Sequence, residues 1–289
     1  MQTYPIPMVP GPVRVPDEIR DTYKTDYGSG DLEPEFFDLY AETEINLRQI
    51  VGTEGSVVVQ TGEGMIGLWG ALKSCLVPGD KVLAVSTGLF GSGIGDMARS
   101  IGADVKTIEL GIDKTIAHMA EIENAITDFN PKMITVVHCE TPSGTLNPLT
   151  GLGRLKKEHS VPLLYVDAVS SVGGTPVLAD KRHIDLCLGG AQKCFSAPPG
   201  TAFLSVSDTA WEIIDQIDYV GYDALKPFRN AQKERFFPYT PDWYGVAALN
   251  AGAKLILGEG LTKCFNRHQE VAAYCRDRKS TRLNSSHYS

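Results

Sequence analysis

Leu163-Leu164-Tyr165-Val166-Asp167-Ala168-Val169-Ser170-Ser171-Val172-Gly173-Gly174 is the stretch of this 289-residue sequence that decides the fold. Its first four residues are apolar without alternation, which predicts a strand buried on both faces, and such strands belong to parallel sheets held between helices. The run stops at Asp167 and gives way to small residues. A carboxylate at the carboxyl tip of a strand, followed by side chains too short to crowd it, faces the crevice where open α/β sheets collect ligands.

Outward from this stretch the same alternation repeats. Predicted strands at Ser56 to Gln60, Lys81 to Ser86, Val105 to Leu110 and Met133 to His138 alternate with helical spacing over Met65 to Leu76, Ile94 to Ile101 and Ile116 to Phe129. A helix around Leu152 to His159 leads into the Asp167 strand, and strands at Ile184 to Gly189 and Thr201 to Val206 follow it. Ahead of them all, Phe36, Tyr40, Leu47, Ile50 and Val51 share one face of a first helix, preceded by a proline-rich arm. The prediction is an α/β fold with a mostly parallel, seven-stranded sheet between helix layers.

Hydrophobic residues make up 43% of the chain and charged residues 21%, enough for a large core. A net charge of −8 argues against a surface for nucleic acid or anionic membrane, both of which call for clustered Lys and Arg. No apolar run is long enough to span a bilayer, and Met1 to Val15 lack the basic and apolar regions of a secretory signal. The expected compartment is intracellular, cytoplasmic or organellar, with the peroxisome open. The six cysteines show no CxxC spacing and read as reduced thiols. His138 and Cys139, as neighbours in a strand, point to opposite faces, and no metal site is expected.

A second strand end carries Gly190-Ala191-Gln192-Lys193, then Ala197-Pro198-Pro199-Gly200. Alone, Asp167 or Lys193 reads as a solvated surface charge. At two strand ends of one sheet they match what pyridoxal phosphate needs: a lysine to form a Schiff base with its aldehyde and a carboxylate to keep its pyridine nitrogen protonated. Thr61-Gly62-Glu63-Gly64-Met65, between a strand and a helix, has the layout of a phosphate-binding helix N-terminus, although a plain tight turn explains it equally well.

Tyr165 to Pro176, together with Gly190 to Lys193 and Ala197 to Gly200, closely resembles the alanine-glyoxylate and serine-pyruvate aminotransferases of class V. Leu76-Val77-Pro78-Gly79-Asp80, Gly88-Leu89-Phe90-Gly91 and His138-Cys139-Glu140-Thr141-Pro142-Ser143-Gly144 add to the resemblance, which runs from about Pro7 to Arg278. It implies a fold-type I large domain, pyridoxal 5'-phosphate as cofactor, and a homodimer with a shared active site. Lys193 is then the covalent anchor and later the general base, and Asp167 the partner of the pyridine nitrogen. Phe90 stacks on the ring, and Val169 lies in the cofactor-binding motif. Thr141 or Ser143 supplies a hydroxyl near the ring oxygen. Gly62, Glu63, Gly64 and Met65 form the phosphate loop with Gln192 beside it, and Thr240 is lent by the partner subunit. The reaction implied is ping-pong transamination of alanine or serine with glyoxylate or pyruvate. Another class V activity (aminoethylphosphonate transamination or cysteine desulfuration) and an inactive cofactor-binding fragment are the rival readings. A desulfurase calls for a mobile cysteine, whereas Cys264 and Cys275 read as helical.

Two departures accompany the resemblance. Close relatives carry a hydroxyl residue and often a histidine where this chain has Glu63 and Met65, and a carboxylate aimed at a dianionic phosphate repels it unless it points away or meets a cation. The arginine that clamps the substrate carboxylate lies in a small C-terminal domain that this chain barely begins. The predicted division is an arm over 1–20, a large cofactor-binding domain over 21–259, the start of a truncated C-terminal domain over 260–278, and a non-native tail over 279–289 that resembles translated sequencing adapter. Trp69 shares a helical face with Met65, Leu72 and Leu76 and reads as core. His138 and His183 read as ordinary strand-end or loop histidines.

Overall fold

Strands β4 (Met133–Val137), β5 (Leu163–Asp167), β6 (Leu186–Gly190) and β7 (Thr201–Val206) are buried at every position in the computed structural model, which describes residues 9–117 and 119–285, with side chains as far as 277. Unbroken burial means that both faces are covered, as the apolar runs predict. With β1 (Ser56–Thr61), β2 (Lys81–Ser86) and β3 (Asp104–Glu109) they form one seven-stranded sheet in the order β1-β7-β6-β5-β4-β2-β3. Only β7 runs against the rest, antiparallel to both β1 and β6. The other six therefore deliver their carboxyl ends to one edge. Register places Asp167 beside Val137 of β4 and Leu188 of β6.

The helices are α1 (Asp17–Arg20), α2 (Pro34–Val51), α3 (Gly64–Cys75), α4 (Leu89–Ser100), α5 (Met119–Phe129), α6 (Thr150–Glu158), α7 (Asp208–Ile217), α8 (Ala231–Glu234), α9 (Trp243–Glu259) and α10 (Leu261–Ser285). α3 packs on β6 and β7, α4 on β2, β3 and β4, and α6 on β5. α2 and α9 pack together, where Phe36, Phe37, Tyr40, Phe237 and Trp243 make a chain of edge-to-face and stacked rings. Gly260, at φ +87°, breaks the chain between α9 and α10. α10 continues into the stretch over 279–289 set aside from the sequence; residues 286–289 and most of the arm, 1–8, lie outside the described residues. Among the described residues no helix is long and apolar enough to cross a membrane.

A buried carboxylate ties the sheet together next to the Asp167 strand. Asp185 accepts the Leu164 N–H at 2.7 Å and the Ser207 hydroxyl at 3.0 Å, and pairs with Lys156 at 3.1 Å. It thus joins β5, α6 and the start of α7. Burial raises its pKa, against the pull of those same partners.

Candidate active site

The carboxyl ends of β4, β5 and β6 meet the starts of α3 and α4 around a cavity of about 170 Å³. Its lining includes Asp167 at the tip of β5, Lys193 three residues past β6, Phe90 in the first turn of α4, and Glu63, Gly64 and Met65 where β1 turns into α3. Thr141, Val169 and Gln192 line it as well. These are the convergences the sequence predicts.

Asp167 is 7% exposed and accepts the Val169 N–H at 2.9 Å. Burial pushes its carboxyl up to about 6, with Glu140 and Glu63 adding to the rise against the Val169 N–H and Lys193. A buried carboxylate so raised lacks a full cationic partner, and a pyridinium is one. Burial also lowers the Lys193 ammonium, against the pull of Cys194, Asp167 and Cys139. A lysine shifted down yields the neutral amine that attacks an aldehyde. The two shifts fit one ring laid between the two groups.

Phe90 is held by a residue that sequence reasoning missed. Glu140, fully buried past the end of β4, accepts the Phe90 N–H at 3.2 Å and the Gly91 N–H at 2.8 Å, so it caps α4 from another element. Glycine is needed around it: a Cβ on Gly88 would lie 2.9 Å from the Glu140 carboxyl carbon. The pairing of Gly88 and Gly91 around Phe90 with an acidic residue after a buried strand was the available signal.

The proline-rich arm was also missed as part of the site. Gly11 and Pro12 line the cavity, the Lys193 ammonium donates to the Pro10 carbonyl at 3.5 Å, and the Val13 N–H donates to the Gln192 carbonyl at 3.2 Å. Gly11 sits at φ +147°, a conformation strained for any other residue, and a Cβ there would lie 2.6 Å from Lys193 Cδ. Cys139 lines the cavity as well, while His138 turns inward to Ser171 at 2.9 Å and is pushed down to about 3 by burial. The two therefore face apart.

Of the two candidate hydroxyls, Thr141 lines the cavity and hydrogen-bonds Ser170, whereas exposed Ser143 bonds Thr145 at 2.8 Å and lies outside the lining. Gly62 also lies outside it; its N–H donates to the Gly200 carbonyl at 2.8 Å. Thr240 does not line this chain's own cavity and donates to Asp31 at 3.1 Å. Cys264 and Cys275 both sit on α10, and Cys264 is buried with its thiol on the Gly173 carbonyl at 3.3 Å.

The ring end of the site fits a pyridoxal nucleus. The phosphate end does not fit a dianion. Glu63 Oε1 accepts the Met65 N–H at 3.0 Å and the Glu63 carbonyl accepts the Ile66 N–H at 3.0 Å, so two of the first three α3 amides are already used. The Glu63 carboxylate neither points away nor meets a cation: Lys193 is the one Lys or Arg in the lining.

Residues 10–285 match the family model for aminotransferase class V. The chain belongs to the class V aminotransferases. Among its relatives in this family is an uncharacterised aminotransferase of Methanocaldococcus jannaschii, 33% identical over 278 residues, which cover 93% of this chain and 70% of that protein. A pyridoxamine–pyruvate transaminase of Mesorhizobium japonicum is 29% identical over 85% of this chain and 63% of its own length. The crystal structure of an alanine–glyoxylate aminotransferase from Nostoc sp. superposes with a TM-score of 0.89 at 28% identity, covering 97% of this chain and 77% of that one. Class V membership accounts for the fold and for the transaminase character of the site.

Proposed function

We propose that this class V aminotransferase moves the amino group of a small amine donor to a 2-oxo acid, glyoxylate or pyruvate, on a pyridoxal ring held between Lys193 and Asp167. The observation that carries the reading is that Lys193 and the buried Asp167, at the ends of β6 and β5, line one cavity with Phe90; the raised carboxyl and lowered ammonium agree with it. When bound, such a ring supplies an aldehyde for the donor's amine and an electron sink for the carbon that loses its proton.

The chain's residues do the rest. Asp167 would orient the ring and keep its nitrogen protonated, because a buried carboxylate is stabilised by pairing its charge with a cation. Phe90 and Val169 offer flat and branched apolar surfaces to it. Lys193 would hold the ring through its aldehyde, with loss of water, and its freed amine would be the group placed to move a proton between the donor's carbon and the ring's. Acceptors follow from the relatives, whose names pair glyoxylate or pyruvate with different donors. The donor for this chain is set by its own residues.

The same reading makes the chain a homodimer in which Thr240 serves the partner's site. Its support is the position of Thr240 outside its own cavity, beside the exposed Tyr222 that stacks on Tyr239 at 4.4 Å.

The test is covalent capture. Incubation with pyridoxal or its 5'-phosphate, then borohydride, is expected to add the mass of one reduced ring to the peptide holding Lys193. Lys193→Ala should show no increment there. Equal labelling of both chains would sink the assignment.

A further inference from the structure

Glu63 and Gln192 give the α3 end of the cavity an unusual chemistry. Glu63 is an acceptor wherever it is ionised, and its Oε2 takes the Gln192 amide N–H at 3.5 Å. That contact leaves Gln192 Oε1 as the other end of the amide, beside Gly190. Gln192 is 7% exposed, and its Oε1 is buried with no hydrogen-bond partner. A buried acceptor without a donor is costly, and a ligand that brings a donor relieves the cost.

A phosphate dianion brings acceptors and negative charge to this pair and finds the Met65 and Ile66 amides already used. A hydroxymethyl group brings a donor and no charge. We propose that the ring taken here is the unphosphorylated form, pyridoxal or pyridoxamine, whose C5 hydroxyl donates to the acceptors formed by Glu63 and Gln192. The inference rests on the reading that Lys193 and Asp167 hold a pyridoxal ring. It adds that the ring is held by its nitrogen, its faces and one neutral hydroxyl, and it assigns Glu63 as the residue that selects against the phosphate ester.

Pyridoxamine and pyridoxamine 5'-phosphate test this without any covalent bond to Lys193. Calorimetric titration of the chain is expected to show pyridoxamine bound at least tenfold more tightly than its ester. Glu63→Gln keeps the size and one acceptor while removing the charge. Its expected effect is to narrow that preference at least tenfold, mainly by tightening the ester, and the gap in wild type should shrink as salt is raised. Glu63 is exposed, so the variant should fold; an unchanged melting temperature checks it. Tighter binding of the ester by wild type, or a preference that Glu63→Gln leaves unmoved, overturns the proposal. If borohydride still labels Lys193 in that case, only the selection by Glu63 has failed. Absence of both binding and labelling overturns the pyridoxal site and this inference with it.

Discussion

Asp167 illustrates how a single residue can be legible in sequence and still hold an unstated cost. Its place at a strand tip follows from the apolar run before it, but its burial follows from Val137 and Leu188 on the neighbouring strands. With its folded pKa raised to about 6, the ring-free protein binds more protons at Asp167 than the unfolded chain does between roughly pH 4 and 6. Stability from this group is therefore present at low pH and lost as pH rises through 6. Urea unfolding of wild type and Asp167→Asn at pH 4.5 and 7.5 should show wild type losing roughly 2 kcal/mol more over that interval. A difference of the opposite sign would mean that Asp167 is held as a stabilised anion. Lys193 was legible for the same strand-end reason. The orientation of Glu63 was not, because its second oxygen meets Gln192, 129 residues away, while the first caps α3 at Met65.

At the scale of elements, the sequence yields the strands well and the helix starts less well. β4 and β5 are continuous apolar runs, and their predicted and observed bounds agree within a residue. α4 was expected from Ile94 but begins at Leu89, because Leu89-Phe90-Gly91-Ser92-Gly93 has no helical apolar period and owes its first turn to Glu140. The antiparallel direction of β7 and the long α9 were equally hard to see. A strand buried on both faces reads alike in either direction, and α9 buries ten residues around its circumference in place of one stripe. The dependence of α4 on Glu140 is testable. Glu140→Ala strands the buried Gly91 amide and the half-buried Phe90 amide and should cost about 2 to 3 kcal/mol in urea unfolding. Hydrogen exchange should quicken at Phe90 and Gly91 more than at β4 amides. Uniform loosening would instead make Glu140 a general core residue.

At the scale of the whole molecule, one chain leaves large apolar side chains exposed. Val220 is 88% exposed and Tyr222 61%, on a segment that α3 holds through the Lys73–Asp223 ion pair at 2.7 Å. Leu89, next to Phe90, is exposed as well. Exposed apolar groups of this size favour a covered surface, and the proposed homodimer would supply the cover. Sedimentation equilibrium should then give twice the 31.3 kDa mass of the chain. Val220→Asp with Tyr222→Glu places two carboxylates on each side of the contact and should shift the equilibrium toward monomer by at least tenfold in dissociation constant, with unfolding little changed because both residues are exposed. Ring labelling at Lys193 should fall in parallel with dimer content if a partner residue completes the site. A wild-type chain that sediments at 31.3 kDa at all concentrations, and labels fully, would show that one chain builds the site alone and that Thr240 serves no neighbour.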